Sequence, residues 1–372
     1  MTTLELKNLS RSYNGKPVID DLTLSIAGGE TLVLFGPSGA GKSVLLRLIA
    51  GVVEPDKGQI LIGGRDVTAD EPDQRGVGMA FQNFALFPHM SAFDNIASPL
   101  VAHRKTRDQI RAGVQAVAKL LKIDHVLSHA PKALSNGQKQ RTALARALVG
   151  QPPILLLDDP LRNVDAKLRF EMRLELPRLL ANRGATVIYV TQDYKEAMAL
   201  GDRIAVLHEG CIAQLGTPEE IYLAPKSVSI ARLFGDPTIN LLDVTPKADP
   251  LGVFAEVSDR PLRIFGCDAS VAGRECVLGL RPESIRFIGG DVKGAIPVEI
   301  EAETPLNEKT VTLALTRGKR ELLISRPAGT PGPVSGTAHV AVDERAAMLF
   351  DRATGMRIGG ETAASLAKGE AA

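Results

Sequence analysis

The sequence has no tryptophan, few cysteines and no long apolar runs, and the last two features exclude classes of protein. Among 372 residues there is no tryptophan, and the three cysteines, Cys211, Cys267 and Cys276, are scattered without metal-ligand spacing. We therefore expect reduced, structural cysteines. No apolar run approaches the ~18 residues that span a membrane, and the N terminus lacks a signal-peptide pattern. These absences predict a soluble, cytoplasmic chain.

The sequence also has no excess of positive or negative charge. Lysine and arginine total 44 against 43 acidic residues, so the overall charge gives no reason to expect nucleic acid as a partner. Only a local basic patch stays open. The length predicts two domains, or three, with enough chain to bury a core.

The most informative stretch follows residue 30. Thr31–Phe35 reads as a short buried strand, and residues 44–50 carry apolar side chains at helical spacing. Between them, residues 36–43 read Gly-Pro-Ser-Gly-Ala-Gly-Lys-Ser, which fits the phosphate-loop pattern G-x-x-x-x-G-K-[ST]. The alternative is an ordinary glycine-rich turn. A dinucleotide-binding loop is excluded because its glycine spacing differs.

Phosphate chemistry explains these residue types. Side chains at Gly36, Gly39 and Gly41 would block the backbone from curling around an anion. Bare N–H groups can instead point at the β-phosphate, with the positive end of the following helix behind them. Lys42 supplies a positive charge for the β- and γ-phosphates, and Ser43 supplies a hydroxyl ligand for Mg²⁺.

Two acidic residues end a second apolar segment. Residues 154–157 are wholly apolar, which is typical of a strand buried on both faces of a parallel sheet, and ligands bind at the carboxyl ends of such strands. Asp158 therefore suits the Mg²⁺ shell and Asp159 the attacking water. A capped strand end explains the segment equally well when it is taken alone. Gln82 ends a strand predicted for residues 76–82 and offers its amide to Mg²⁺ or a water.

Two further segments have a plain and a functional interpretation. Residues 135–138 read Ser-Asn-Gly-Gln, which is a capping box, but the same helix start leaves N–H groups that could grip a second phosphate. Tyr13 lies in a turn predicted at residues 13–15, between strands at 4–9 and 18–26. It is either a turn residue or an aromatic surface for a nucleobase.

Strand and helix signals alternate up to residue 235. We predict an α/β domain over residues 1–235 with a mainly parallel core sheet, and an inserted helical subdomain at about 90–150. A helix is predicted over residues 165–181, with Pro177 kinking or straining it, and a strand over residues 185–190.

The pattern changes after residue 235. Residues 236–372 predict a β-rich domain of one or two small barrels, and the tail from Glu361 is expected to fray. The strands predicted there lie at residues 276–280, 296–300, 311–315 and 339–342.

Taken together, the motifs resemble those of ATP-binding cassette (ABC) ATPase subunits of binding-protein-dependent importers, of the maltose and sugar type. The resemblance covers nearly the whole chain. It implies a P-loop α/β fold with an inserted helical subdomain, a C-terminal OB-like regulatory β-barrel, and ATP and Mg²⁺ as ligands. It rests on the phosphate loop, Gln82 and residues 134–141, 154–160, 163–165, 190–193 and 278–283.

The resemblance also implies a role for each site residue. Tyr13 would stack on adenine, Asp159 and Gln192 would be catalytic, and Ser43, Gln82 and Asp158 would serve Mg²⁺. The residues implied to bind the nucleotide, besides Tyr13, are Gly36, Ser38, Gly39, Gly41, Lys42, Ser43, Val44, Gln82, Ser135, Gly137 and Gln138.

The partners follow from the same resemblance. Two ATPase subunits, identical or different, would sandwich two ATP molecules and drive two transmembrane permease subunits that dock near residues 82–95. An extracytoplasmic solute-binding protein would act indirectly, and no nucleic acid is involved. The chain would lie peripherally on the cytoplasmic face of the inner membrane. A sugar or polyol is the expected solute, with a polyamine or another small solute as the alternative.

Several positions depart from the family pattern. Asp159 stands where the family has a glutamate base, Gln192 where it has a histidine, Asn136 replaces a signature glycine, and Arg162 replaces a serine. We expect nucleotide binding to survive better than turnover. The sequence thus predicts an importer ATPase with a weakened hydrolysis site. The alternative is a largely non-hydrolysing nucleotide-binding subunit paired with an intact one.

Overall fold

The structure, a computed structural model, describes residues 1–162, 164–181, 184–290 and 294–359. Contacts within the chain group it into two compact units, the first ending at Pro218 and the second beginning at Glu219. The functional domain limits, 1–235 and 236–372, stay a prediction. Residue Asn163 and the tail from Glu361 lie outside the described residues. In the described part, no helix is both long and apolar enough to span a membrane.

The first unit contains an antiparallel sheet. Its strands pair in the order β2, β1, β4, β5, and β1 and β2 are joined at Asn14 and Gly15, both with positive φ. Tyr13 is the last residue of β1, opposite Lys16, so the predicted turn begins one residue later than expected. The four strands are β1 Leu4–Tyr13, β2 Lys16–Ile26, β4 Lys57–Ile62 and β5 Arg65–Asp66.

A second sheet forms the centre of this unit. The order is β10, β9, β3, β8, β7, β6, parallel from β9 to β6, with β10 antiparallel at one edge. All residues of β7 are buried, as its wholly apolar run at residues 154–157 predicts. All residues of β8 are buried as well, including the polar Thr186 and Thr191. The strands are β3 Thr31–Phe35, β6 Val77–Ala80, β7 Ile154–Asp158, β8 Thr186–Thr191, β9 Arg203–His208 and β10 Cys211–Gly216.

Helices connect these strands. Helix α4 packs on α2, α3 and β6, and it begins with a capping box formed by Ser135 and Gln138. A matching capping box at Thr106 and Gln109 begins α3. The helices are α1 Lys42–Ile49, α2 Ala92–Ala102, α3 Arg107–Leu120, α4 Asn136–Val149, α5 Ala166–Ala181 and α6 Tyr194–Leu200.

One local prediction needs correction. The predicted strand 76–82 ends at Ala80, so Gln82 lies in the turn after β6 rather than at its last position. Helix α5 extends over Ala166–Ala181 and includes Pro177, and the kink or strain expected at this proline stays a prediction.

The second unit is β-rich. Two short helices lie near the start of its sequence, α7 Pro218–Leu223 and α8 Val228–Leu233. Its described strands form antiparallel sheets ordered β11-β15-β21-β22, β12-β13-β14 and β16-β20-β17-β18-β19. One apolar core receives side chains from all of these sheets, among them Leu242, Leu262 and Val340. The predicted fold class, a P-loop α/β domain followed by an OB-like barrel domain, is confirmed.

The strands of this unit are short, and each of the four strands predicted from the sequence lies within one of them. They are β11 Asn240–Val244, β12 Lys247–Asp249, β13 Gly252–Val257, β14 Arg260–Ile264, β15 Cys276–Leu280, β16 Ile285–Ile288, β17 Ile296–Pro305, β18 Lys309–Thr316, β19 Glu321–Pro327, β20 Gly336–Val342, β21 Met348–Asp351 and β22 Arg357–Ile358.

Candidate functional site

A cavity of about 250 Å³ opens where β3, β7 and β8 end. This is the edge of a parallel sheet at which ligands bind in α/β folds. Ten of the predicted site residues line it, together with three that were not predicted. The lining residues are Val18, Ser38, Gly39, Gly41, Lys42, Ser43, Val44, Gln82, Asp158, Asp159, Arg162, Val190 and Gln192.

The phosphate loop needs glycine for a reason that the sequence did not reveal. Gly36 and Gly41 have φ values of 154° and 101°. A Cβ at Gly36 would lie 2.3 Å from the Leu207 carbonyl oxygen, and one at Gly41 would lie 2.7 Å from that of Val18. Neighbouring backbone, as well as any bound anion, therefore excludes a side chain at both positions.

Lys42 is the first residue of α1 and one of the most buried cations of the chain. The residue is only 6% exposed. Its Nζ donates to the carbonyl oxygens of Gly36 at 2.8 Å and Pro37 at 2.7 Å. Burial lowers the pKa of Lys42, while the nearby carboxylates of Asp159 and Asp158 oppose that shift. The ammonium and the positive end of α1 together favour an anion at this place.

A group of oxygen donors lies beside this anion site. Ser43 Oγ donates to Asp158 Oδ1 at 3.0 Å, and the Gln82 side chain lines the same cavity. Burial raises the pKa of Asp158, and the Ser43 hydrogen bond, Arg47 and Lys42 oppose the shift. Hydroxyl, carboxylate and amide oxygens are the ligands that Mg²⁺ accepts, usually with phosphate oxygens and waters completing the shell. These residues therefore fit a nucleotide-bound Mg²⁺.

Asp159 lies immediately after β7 and is held from two directions. Its backbone adopts a positive φ of 50°, its N–H donates to the Val190 carbonyl at 3.0 Å, and its carbonyl accepts from Gln140 Nε2 at 2.9 Å. Burial raises the pKa of Asp159; the Arg162 guanidinium, 3.8 Å from Oδ2, opposes the shift, and Asp158 adds to it. These contacts hold the backbone of Asp159, and its carboxylate lies at the cavity wall.

Gln192 comes directly after β8 and lines the same cavity as the phosphate loop. Behind it, Glu196 of α6 is 2% exposed and accepts hydrogen bonds from Tyr189 Oη and Thr191 Oγ1, both at 2.9 Å. Burial raises the pKa of Glu196. This buried group fixes the strand end that carries Gln192.

The remaining predicted residues do not line this cavity. Gly36 lies below it, with its carbonyl bound by Lys42. Tyr13 is 40% exposed at the end of β1, with the Arg11 guanidinium 5.0 Å from its ring centroid. At the start of α4, the Gln138 N–H donates to Ser135 Oγ and the Ser135 N–H donates to Gln138 Oε1. Gly137 lies in the same first turn.

Sequence reasoning missed several residues of the site. Val18 and Val190 line the cavity, and Gln140 orients Asp159 through its backbone. Arg162 was noted as a departure but not as a site residue. Its position three residues after Asp159, in the tight turn that follows β7, was the signal that could have identified it.

Comparisons with known protein sequences identify the family of the chain. A sequence profile of the ABC transporter family matches residues 19–162. The sn-glycerol-3-phosphate import ATP-binding protein UgpC of Yersinia pseudotuberculosis is 39% identical over 361 residues, 96% of this chain and 99% of the relative. The UgpC protein of Escherichia coli O157:H7 is 40% identical over the same length, 96% of this chain and 100% of the relative.

Solved structures give the same result for the fold. The dimeric ATP-binding cassette MJ0796 in a post-hydrolysis state, bound to ADP and Pi, is 31% identical with a TM-score of 0.54. The alignment covers 58% of this chain and 98% of that cassette. A second dimeric MJ0796 structure, described as a bacterial ABC transporter cassette, is 30% identical with a TM-score of 0.55 and the same coverage.

Proposed function

Because this chain belongs to the ABC transporter family, as an ATPase that couples ATP hydrolysis to import, we propose that it binds Mg²⁺·ATP in this cavity with a weakened hydrolysis site. The observation that carries the proposal is the pair of side chains at the cavity wall, Asp159 and Gln192, beside an intact phosphate loop. The binding half of the machinery is complete, and the two catalytic positions are altered.

Each cavity residue has a proposed role. Lys42 binds the β- and γ-phosphates, and the N–H groups of the loop surround them. Ser43, Gln82 and Asp158 hold Mg²⁺, which neutralises charge on the phosphate oxygens. Asp159 accepts the proton of the attacking water, and Gln192 donates a hydrogen bond to the γ-phosphate.

Two physical arguments support the weakening. The aspartate side chain is one methylene shorter than glutamate, so its carboxylate falls about 1 Å short of a water placed for glutamate, and a misplacement on that scale can cost on the order of 10²-fold in rate. Gln192 can donate a hydrogen bond but cannot become cationic as histidine can. Both changes act on turnover rather than on nucleotide binding.

The partners are proposed from the family and from the relatives. Two such subunits close on ATP, with Ser135, Gly137 and Gln138 of one facing the phosphates of the other, and Tyr13 stacks on adenine. Permease subunits dock near residues 82–95 and hold the chain peripherally at the cytoplasmic face of the membrane. The transported solute is a sugar or polyol, and the names of the relatives favour glycerol phosphate.

A second candidate function is a largely non-hydrolysing subunit paired with an intact ATPase subunit. The ion pair between Arg162 and Asp159 favours it, because a carboxylate engaged by a cation is a poorer base. Purification with the membrane partners, followed by intact-mass analysis of the cassette subunits, distinguishes the two. One kind of cassette at two copies supports hydrolysis at Asp159, and a second kind supports a division of labour.

The test of the weakened site is a double substitution. Asp159→Glu with Gln192→His should raise the turnover number at least tenfold, while the affinity for Mg²⁺·ADP stays within about twofold. Asp159→Asn is the matched control, since it keeps the size and removes the base, and its turnover should fall below that of the wild type. Unchanged turnover in the double variant would remove the proposal of weakening.

A further inference from the structure

Arg162 is the one cavity residue whose charge the proposed mechanism leaves unused. Its backbone is fixed, because its N–H donates to the Asp159 carbonyl at 3.3 Å and its carbonyl accepts from Arg169 Nη2 at 3.1 Å. Its side chain is half exposed, at 51%, whereas that of Asp159 is only 11% exposed. The guanidinium can therefore change position while the turn that carries it stays in place.

Arg162 lies on the side of the cavity that contains Gln82 and Asp158, which are proposed to hold Mg²⁺. It also lines an adjoining cavity of about 370 Å³ together with Arg47, Gln82 and Asp158. Since Gln82 and Asp158 border both spaces, Arg162 spans the junction between them. In the proposed function this is the side at which the terminal phosphate lies.

The charges that line the nucleotide cavity make a second cation useful. Among the described lining residues, Lys42 and Arg162 are positive and Asp158 and Asp159 are negative. Lys42 is already held by two loop carbonyls. Mg²⁺·ATP retains negative charge, and Gln192 cannot supply a positive one. Arg162 is the cation of this wall that can move to the phosphate.

Its present partner is a weak one. The nitrogen and oxygen of the Arg162–Asp159 pair are 3.8 Å apart, beyond hydrogen-bond distance, and the guanidinium is half in solvent, where ion pairs contribute little. A phosphate offers oxygens in the geometry that a guanidinium binds through two parallel hydrogen bonds. A terminal phosphate within reach of Arg162 would therefore be a stronger partner than the aspartate.

We propose that Arg162 exchanges Asp159 for the γ-phosphate when ATP binds. The exchange adds a charged contact to the phosphate that is cleaved, and it frees the Asp159 carboxylate to accept the proton of water. The inference rests on the proposed function and deepens it. It makes Arg162 a substrate-binding residue that recognises the triphosphate and not the diphosphate, because ADP lacks the group that it binds.

Nucleotide affinity tests this directly in the full-length chain. Dissociation constants for Mg²⁺·ADP and for Mg²⁺ with the non-hydrolysable analogue AMP-PNP are measured by calorimetry. Arg162→Ala should weaken AMP-PNP binding by about tenfold or more, the effect of a lost charge-assisted hydrogen bond, and ADP binding by less than about threefold. Arg162→Lys should lie between the wild type and Arg162→Ala.

Lys167→Ala is the matched control, since this exposed lysine lies five positions further along the chain, outside the cavity lining. It removes the same charge and should change neither affinity by more than about twofold. An equal loss for both nucleotides in Arg162→Ala, or no loss, overturns the exchange. A wild-type chain that binds neither nucleotide overturns the proposed function together with it.

Discussion

Two groups of predicted nucleotide residues behave differently in this chain. The phosphate loop and the ends of β7 and β8 converge on one cavity, with Lys42, Ser43 and Asp158 in contact through hydrogen bonds or neighbouring charges. The start of α4, with Ser135, Gly137 and Gln138, lies outside this cavity. Its side chains bind the backbone of their own helix.

The difference explains what one chain can do alone. The cavity brings together a buried ammonium, the start of α1 and side chains with oxygen ligands, so the proposed site for a metal-bound phosphate can form within one chain. The helix start has its cap satisfied internally, and in the proposed function it adds to a site only when a second subunit approaches. The similar cassettes solved as dimers fit this division. The predictions below are ordered by the size of the effect that separates the two groups.

The largest effect is expected at Lys42. Lys42→Ala removes the ammonium that faces the phosphates and should lower the affinity for Mg²⁺·ATP about 100-fold, as expected for a lost contact between charged groups. Calorimetric titration measures it, and thermal unfolding without nucleotide checks that the fold survives. Affinity within threefold of the wild type would show that the cavity is not the phosphate site.

The turnover number should also depend on pH through the protonation of Asp159. Because burial raises the pKa of Asp159, this carboxyl is protonated at a higher pH than a free aspartate, whose pKa is about 3.9. A protonated carboxyl cannot accept a proton, so turnover at saturating ATP is lost as the pH falls through the raised pKa, by about tenfold per pH unit below it. Phosphate release across buffers from pH 8 downward measures the acid limb. A turnover number that stays flat down to the ordinary pKa would contradict it.

A smaller effect is expected at Tyr13, which neither group includes. Its exposed ring at the end of β1 should stack on adenine, and Tyr13→Ala should weaken ATP binding by about tenfold. Tyr13→Phe keeps the aromatic face and serves as the control, with affinity close to that of the wild type. Equal affinities for all three proteins would leave Tyr13 as a strand-end residue only.

The smallest effect on nucleotide binding is expected at the start of α4. Ser135→Ala should leave the ATP affinity of the isolated chain within twofold and lower the free energy of unfolding by about 1 kcal/mol, the usual contribution of a helix cap. It should also weaken ATP-dependent dimerisation. Urea unfolding and light scattering measure the two properties.

Thr106→Ala is the matched control because Thr106 and Gln109 form the same capping box at the start of α3. It should cost a similar free energy of unfolding and leave dimerisation unchanged. Equal dimerisation by the two variants would show that the second group has no role beyond its helix cap.

The sequence predicted the framework because its signals are local. The apolar run of β7 at residues 154–157 is buried along its whole length, and the phosphate-loop pattern spans only eight positions. Parallel strands then bring their carboxyl ends to one edge, so Asp158, Asp159 and Gln192 could be expected together without any distance being known.

The missed features depend on contacts between distant segments. Gln140 reaches the Asp159 carbonyl only because α4 packs beside β7, and Glu196 is buried only because α6 returns over β8. The local pattern was wrong at Gln82, where the strand stops two residues early. Tertiary packing determines each of these features, and a short stretch of sequence carries no information about that packing.

The bonds of Lys42 to the Gly36 and Pro37 carbonyls have a kinetic consequence. The ammonium joins residue 42, at the end of the loop, to the two carbonyls at its start, so these bonds stabilise the curved backbone. In the proposed function, an arriving nucleotide would meet a loop that is already curved, so we expect encounter and not refolding of the loop to limit its association rate. For the same reason we expect the loop to keep its curve after the diphosphate departs.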